Sequence, residues 1–178
     1  MTGFVLRYYQ YNTFWPERKR RFLNIWYINS ILGPLCLEEQ DQALWGLHFC
    51  PEGVPDLEPL PRKVVETPLL QEAEEQLNEY FAGARRSFDL PLAPQGTPFQ
   101  QAVWDQLQQI PYGEVRTYGQ LAAALGKPQA ARAVGRACHC NPLCILVPCH
   151  RVVGANGSLT GYAYGLDIKQ YLLELEQG

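Results

Sequence analysis

The sequence has no long hydrophobic run. Nothing in its 178 residues approaches the roughly 20 consecutive apolar side chains that a membrane span needs, so no membrane contact is expected. The first thirty residues carry charges and no clean apolar block, so a secretory signal is not expected either. Without one, the six cysteines (Cys36, Cys50, Cys138, Cys140, Cys144, Cys149) read as reduced thiols of the cytoplasm, or of the nucleus in a eukaryote, rather than as a disulfide framework. No internal repeat is present. The most local absence is of negative charge. Between Val115 and Leu166 there is no Asp or Glu, while Arg116, Lys127, Arg132, Arg136 and Arg151 lie in that window. A surface built from it is purely positive, as a polyanion partner requires; a chance gap gives the same count. The net charge of −3 hides this, because residues 1–96 hold nine basic and thirteen acidic side chains and residues 97–178 hold six and five.

What is present is a globular composition. The hydrophobic fraction is 47%, enough for a core, and the length suits one large domain or two small ones. The opening "YYQYNTFWPERKRRF" mixes aromatics with a basic cluster, and reads as a solvated arm rather than a nucleic-acid contact. Residues 31–49 read as two strands around a polar turn, and "PEGVPDLEPLPRK" as a Pro-rich loop. Thr67 then caps a helix with Pro68 at its first position, closed by Gly83. "FDLPLAPQG" is a linker and places a domain boundary.

The second half is more regular. Thr97 and Gln100 form a capping box for a helix through about Gln109, ended by Pro111; Thr117 and Gln120 repeat the device. Gly126 and Pro128 stop that second helix, and another begins near Gln129. Two short helices around a Gly-Lys-Pro turn are a helix-turn-helix pattern, weak by itself. Ala130, Ala131, Ala133 and Gly135 leave one surface of the second helix nearly bare around Arg132. Such a surface suits tight helix packing and close approach to nucleic acid about equally. "CILV" reads as a strand, and "LDIKQYLLELEQ" as a last helix.

Between them stands Pro148-Cys149-His150-Arg151, followed by the loop Gly154–Gly161. A cysteine at a strand end is ordinarily a small buried hydrophobe. A neighbouring imidazole, a positive window and a glycine-rich loop fitted to cover it point instead to an activated nucleophile. In regular β geometry Cys149 and His150 face opposite ways, so either the strand has ended there or a water links them.

That motif, with Asn141-Pro142 before it and Gly161-Tyr162 after it, resembles the signature of the O6-alkylguanine-DNA alkyltransferases. The likeness extends through "GTPFQQAVWDQLQQIPYGEVRTYGQLAAALG", "AARAVG" and "KQYLLELE". It is dense over about residues 90–176, and loose over residues 29–83. The resemblance implies an α+β fold: an N-terminal α/β, ribonuclease H-like domain over residues 25–89, after an arm over 1–24 of unassigned role. A mostly helical C-terminal domain over 90–178 follows, with the helix-turn-helix and the cysteine loop.

It further implies irreversible, single-turnover transfer of an alkyl group from O6-alkylguanine, and from O4-methylthymine, in double-stranded DNA to Cys149, by a monomer that flips the base. His150 would take the thiol proton through water, Glu176 would orient His150, and Asn141 would brace the turn. Arg132 would fill the hole left by the flipped nucleotide, with Ala131, Arg136 and Arg151 also at the DNA. Tyr118 would turn the phosphate and donate to the guanine ring, while Val152, Tyr162, Ala163 and Tyr164 line the pocket. No metal or organic cofactor is implied. The "CHCNPLC" segment lacks the usual zinc spacing and a second ligand pair. Tyr164 stands where many members have glycine, which implies a narrower alkyl pocket. Two rival readings are a module that binds lesions without repairing them, which Cys149 argues against, and a thiol hydrolase, which would turn over.

Overall fold

The computed structural model describes residues 23–50 and 62–178. The arm and the Pro-rich loop expected from the sequence lie mostly outside these residues. Only their ends are described, and both ends are strand: Leu23 and Asn24 open β1 (Leu23–Ser30), and Arg62 and Lys63 belong to β4 (Arg62–Val64).

The N-terminal sheet has the order β3-β2-β1-β4, with β2 over Gly33–Gln40 and β3 over Ala43–Phe49. The expected hairpin is β2–β3. Its turn residues Asp41 and Gln42 have φ of 51° and 63°, the left-handed pair that a two-residue hairpin needs. Alternation then buries Leu35, Leu37, Leu47 and Phe49 on one face, against helix α1 (Pro68–Phe81). Thr67 caps α1 by accepting from the Leu70 N–H at 3.2 Å.

β3 is the edge strand, and its outer backbone groups are taken up by the rest of the chain. Leu44 exchanges hydrogen bonds with the linker, Leu44 N–H to Pro91 O and Ala93 N–H to Leu44 O, both 2.8 Å. Leu47 does the same with the segment before the cysteine: Leu47 N–H to Pro142 O at 2.8 Å and Cys144 N–H to Leu47 O at 3.2 Å. The N-terminal sheet therefore holds the C-terminal half by backbone bonds next to the site.

The C-terminal half follows its capping signals. Helix α2 (Pro98–Gln108) and helix α3 (Tyr118–Ala124) each begin with both bonds of the capping box, at Thr97/Gln100 and Thr117/Gln120. Gly126, at φ 68°, ends α3 and opens the turn of the helix-turn-helix, and α4 (Ala131–His139) is its second helix. Helix α5 (Leu166–Gln177) closes the fold, with Lys169, Leu172, Leu173 and Glu176 as its buried stripe. Two residues of β5 (Arg116–Thr117) pair in parallel with β6 (Val152–Val153).

The strand expected at "CILV" is absent. Residues 143–147 coil into a turn closed by Val147 N–H to Leu143 O at 2.8 Å, and Ile145 sits at φ 68°. A β-branched residue there is strained, and persists only because its surroundings dictate the shape. Among the described residues no helix is long and apolar enough to cross a membrane.

Candidate active site

One side chain dictates the turn. The buried Asn141 accepts from Leu143 N–H at 3.1 Å through Oδ1, and its Nδ2 donates to Val147 O at 2.7 Å, to Leu143 O at 3.4 Å and to Cys149 Sγ at 3.3 Å. An asparagine satisfies both ends of a tight loop in this way, which a run of apolar residues between strands cannot do. The chain leaves through Pro148 into a single 3₁₀ turn, Cys149–Arg151. No strand runs into the cysteine, so strand alternation does not set Cys149 and His150 on opposite faces.

The turn sends His150 and Arg151 to one carboxylate. Glu176 Oε1 accepts from His150 Nε2 at 2.8 Å, from Tyr80 O–H at 2.7 Å and from Arg151 at 2.9 Å. Its Oε2 accepts from Arg151 Nε at 2.8 Å and from Gly113 N–H at 3.2 Å. Burial opposes the charge, but the hydrogen bonds from His150, Arg151 and Tyr80 outweigh it and hold the carboxyl well below the usual carboxylate range. Arg151 and Tyr80 keep Glu176 charged whether or not His150 carries a second proton. Burial and the hydrogen bond to Glu176 push the Tyr80 phenol up, so it remains a donor.

His150 is fully buried, and burial lowers its pKa more than Glu176 raises it. The ring is therefore neutral at pH 7. With its Nε2 proton on Glu176, Nδ1 is left as the acceptor, and that buried Nδ1 has no hydrogen-bond partner among the described residues. A pH dependence follows. Both His150 and Glu176 have folded pKa values below their unfolded ones, so their stabilising state is complete above the unfolded values and is lost on acidification. Below about pH 6.5 the unfolded chain takes a proton on His150 that the folded ring refuses, and below about pH 4.3 Glu176 adds a second loss. The urea midpoint should fall between pH 7 and 5, with a shallower fall in His150→Gln. Equal slopes in the two proteins would contradict a buried neutral imidazole.

The thiol itself is 8% exposed. Burial raises its pKa, and the Asn141 N–H and the charge of Lys169 pull it back only in part. The sulfur is thus a protonated thiol at rest and needs a base. Lys169, fully buried, donates from Nζ to Val152 O at 2.6 Å and Thr160 O at 2.8 Å. One carbonyl precedes the Gly154–Gly161 loop and the other lies near its end, so Lys169 ties the two ends together and sets a positive charge near Cys149. Neither Lys169 nor Tyr80 was anticipated. Lys169 had a signal, since it lies seven residues before Glu176 and so on the same helical face; Tyr80 had none.

The remaining expected residues fall into two groups. Around the thiol, Val152 is buried, and Tyr162, Ala163 and Tyr164 are half-buried. The Tyr162 phenol is pushed up by burial and by the nearby Cys149 and Cys144. On the outside, Arg132 and Arg136 are exposed on α4 and Ala131 is half-buried. Tyr118, at the start of α3, donates to Thr160 O at 3.1 Å, and a Cβ on Gly135 would meet its ring at 3.6 Å. Arg151 requires a correction. It was expected at the DNA, but it is 7% exposed, bonded to Glu176 and to Ile110 O at 2.6 Å. The buried carboxylate demanded a cation, and the neighbouring Arg151 supplied it. Among the described residues no three His, Cys, Asp or Glu side chains are grouped to hold a metal.

A helix-turn-helix with exposed arginines, set beside a buried thiol with its own proton acceptor, is the build of a DNA-directed thiol chemistry. Comparison with known proteins agrees. Residues 98–178 match the family model described as 6-O-methylguanine DNA methyltransferase, DNA binding domain, and residues 25–94 match its ribonuclease-like domain. The chain belongs to the 6-O-methylguanine DNA methyltransferase family. It is 51% identical over 147 residues to the methylated-DNA–protein-cysteine methyltransferase of Methanosarcina acetivorans, covering 83% of this chain and 94% of that protein. It is 49% identical over 149 residues to the constitutive enzyme of that name from Bacillus subtilis, covering 82% and 90%. Among solved structures, Mycobacterium tuberculosis OGT in complex with DNA superposes with a TM-score of 0.78 at 44% identity, covering 86% of this chain and 92% of that one.

Proposed function

We propose that this protein repairs DNA by moving the alkyl group of O6-alkylguanine, and of O4-methylthymine, onto Cys149, once per molecule and as a monomer on duplex DNA. The observation that carries the reading is the buried thiol braced by Asn141 beside a neutral His150 whose Nδ1 is an open acceptor. A water between that Nδ1 and the thiol satisfies both groups and passes the proton to the imidazole, and Glu176 stabilises the imidazolium. The thiolate attacks the sp³ carbon in line. The new S–C bond forms as the C–O6 bond breaks, and its electron pair leaves on guanine. Tyr118, which donates to Thr160 O in the free protein, turns its proton toward the guanine ring and eases departure. The product thioether is too stable to reverse, so product equals protein. After exposure to methylated duplex, the Cys149 peptide should gain the mass of one methyl, in a burst matching the protein concentration. Continued turnover would favour a hydrolase instead.

The exposed α4 supports the DNA side of the reading. Arg132 enters the space of the flipped nucleotide, at a cost of about a few kcal/mol for unstacking, while the small residues beside it allow close approach. Arg132→Ala should slow repair of duplex DNA more than reaction with free O6-methylguanine. Equal losses on both substrates would give Arg132 a role in the pocket itself. Binding should also weaken with salt through Arg116, Lys127, Arg132 and Arg136, with Arg151 now left out of that set.

A further inference from the structure

Tyr164, which the resemblance sets in the pocket wall, is held from the other domain. Its hydroxyl is hydrogen-bonded to His48 Nδ1 at 3.3 Å, across 116 residues of sequence. Its ring packs on Phe49 (centroids 5.0 Å apart, tilted 58°) and edge-on to Tyr162 (5.8 Å, 66°). His48 and Phe49 are consecutive residues of β3, so their side chains leave opposite faces of the strand. Tyr164 therefore wraps the strand end, with its ring on one face and its hydroxyl reaching the other. His48 is itself seated: its Nε2 lies 3.7 Å from the buried Glu38 on β2. Both side chains lie over Gly46, where a Cβ would come within 2.6 Å of each. A side chain at position 46 would push both groups out of place. Tyr164 needs such a hold, because the loop bearing it is bounded by Gly161 and Gly165, at φ 48° and 99°.

We propose that His48 is a positioning residue for the alkyl pocket. It fixes the Tyr164 ring beside the alkyl group, so the size of group the pocket accepts is set in part from the N-terminal sheet. The inference rests on the reading of Tyr164 as a pocket wall. A methyl or ethyl group passes a fixed ring, whereas a benzyl group needs the ring to move. Holding the ring by a hydrogen bond adds the cost of breaking that bond to benzyl transfer alone.

The test is the ratio of the single-turnover rate constant for free O6-benzylguanine to that for O6-methylguanine in duplex DNA. Each rate is normalised to burst amplitude, so that loss of folded protein cancels. His48→Ala should raise the ratio about fivefold, the worth of one hydrogen bond, and Tyr164→Phe, which also loses the contact of its hydroxyl with Cys144, at least as much. The double variant should raise it no further than Tyr164→Phe alone. His48→Asn, whose amide falls where Nδ1 was, should restore the low ratio. Tyr164→Gly serves as the control for the wall itself and should raise the ratio most. If Tyr164→Gly raises the ratio while His48→Ala and Tyr164→Phe leave it unchanged, the wall stands and the role of His48 is overturned. If all three leave it unchanged, the wall reading fails and takes the role of His48 with it. Additive effects in the double variant would also overturn the proposal, since the two groups would then act separately.

Discussion

Cys149→Ala should bind methylated duplex within a few-fold of the unaltered protein and transfer no methyl at all. The two halves of this expectation come from separate surfaces. Arg132 and Arg136 lie exposed on α4, while Cys149 is buried at 8% exposure. Removing a sulfur there leaves the charged face intact. Cys36, Cys138 and Cys144 are buried and pushed up in pKa by their surroundings, so they stay protonated. The Asn141 N–H that reaches sulfur reaches Cys149. Mass analysis of the variant after incubation with methylated DNA decides the matter; a methyl on the Cys138 or Cys144 peptide would show that the acceptor is misassigned.

The second large effect is expected at Glu176. Glu176→Gln keeps the shape but removes the charge that serves His150, Arg151 and Tyr80 together. Arg151 is then a buried cation facing a neutral amide. Losing one partner of a buried pair typically costs 3–5 kcal/mol, and with the amide still accepting a hydrogen bond we expect about 3 kcal/mol. In a chain of this size that lowers Tm by roughly 6–12 °C. Transfer should slow as well, on the order of the ~10²-fold typical of lost acid–base assistance, with DNA affinity within a few-fold. Calorimetry and single-turnover kinetics separate the two effects. An unchanged rate per folded molecule would remove the His150–Glu176 relay from the mechanism and leave Glu176 a purely structural anion.

The sequence was legible wherever a local rule decided the outcome. Thr67, Thr97 and Thr117 announced three helices because capping is settled within four residues. The motif around Cys149 was legible by resemblance, and the structure brings His150, Asn141 and Glu176 together around it. Failures arose where a distant partner decided. "CILV" has the apolar make-up of a strand, but the Asn141 amide ties residues 143 and 147 into a turn, and composition cannot register that. Strand β1, "LNIWYINS", gave no reading because its pairing with β2, not its own pattern, makes it a strand. Arg151 was counted as surface charge because the window lacking acids ends at Leu166, before Glu176. The chain folds back by one helix, and Glu176 neutralises the arginine. Tyr80 belongs to the other half of the chain, 96 residues from the carboxylate it serves.

The backbone bonds along the outer edge of β3 have a consequence for how the molecule keeps to itself. An open strand edge is a template on which another chain can pair, and proteins guard such edges with charge, proline or a cover. Here the cover is the linker at Leu44 and the turn that leads to the nucleophile at Leu47. The hydrophobic "ALWGLHF" strand is protected only while the two halves stay joined. A fragment ending before Pro91 would bare an apolar edge and pair with copies of itself, so the segment that delivers the thiol is also the guard against aggregation.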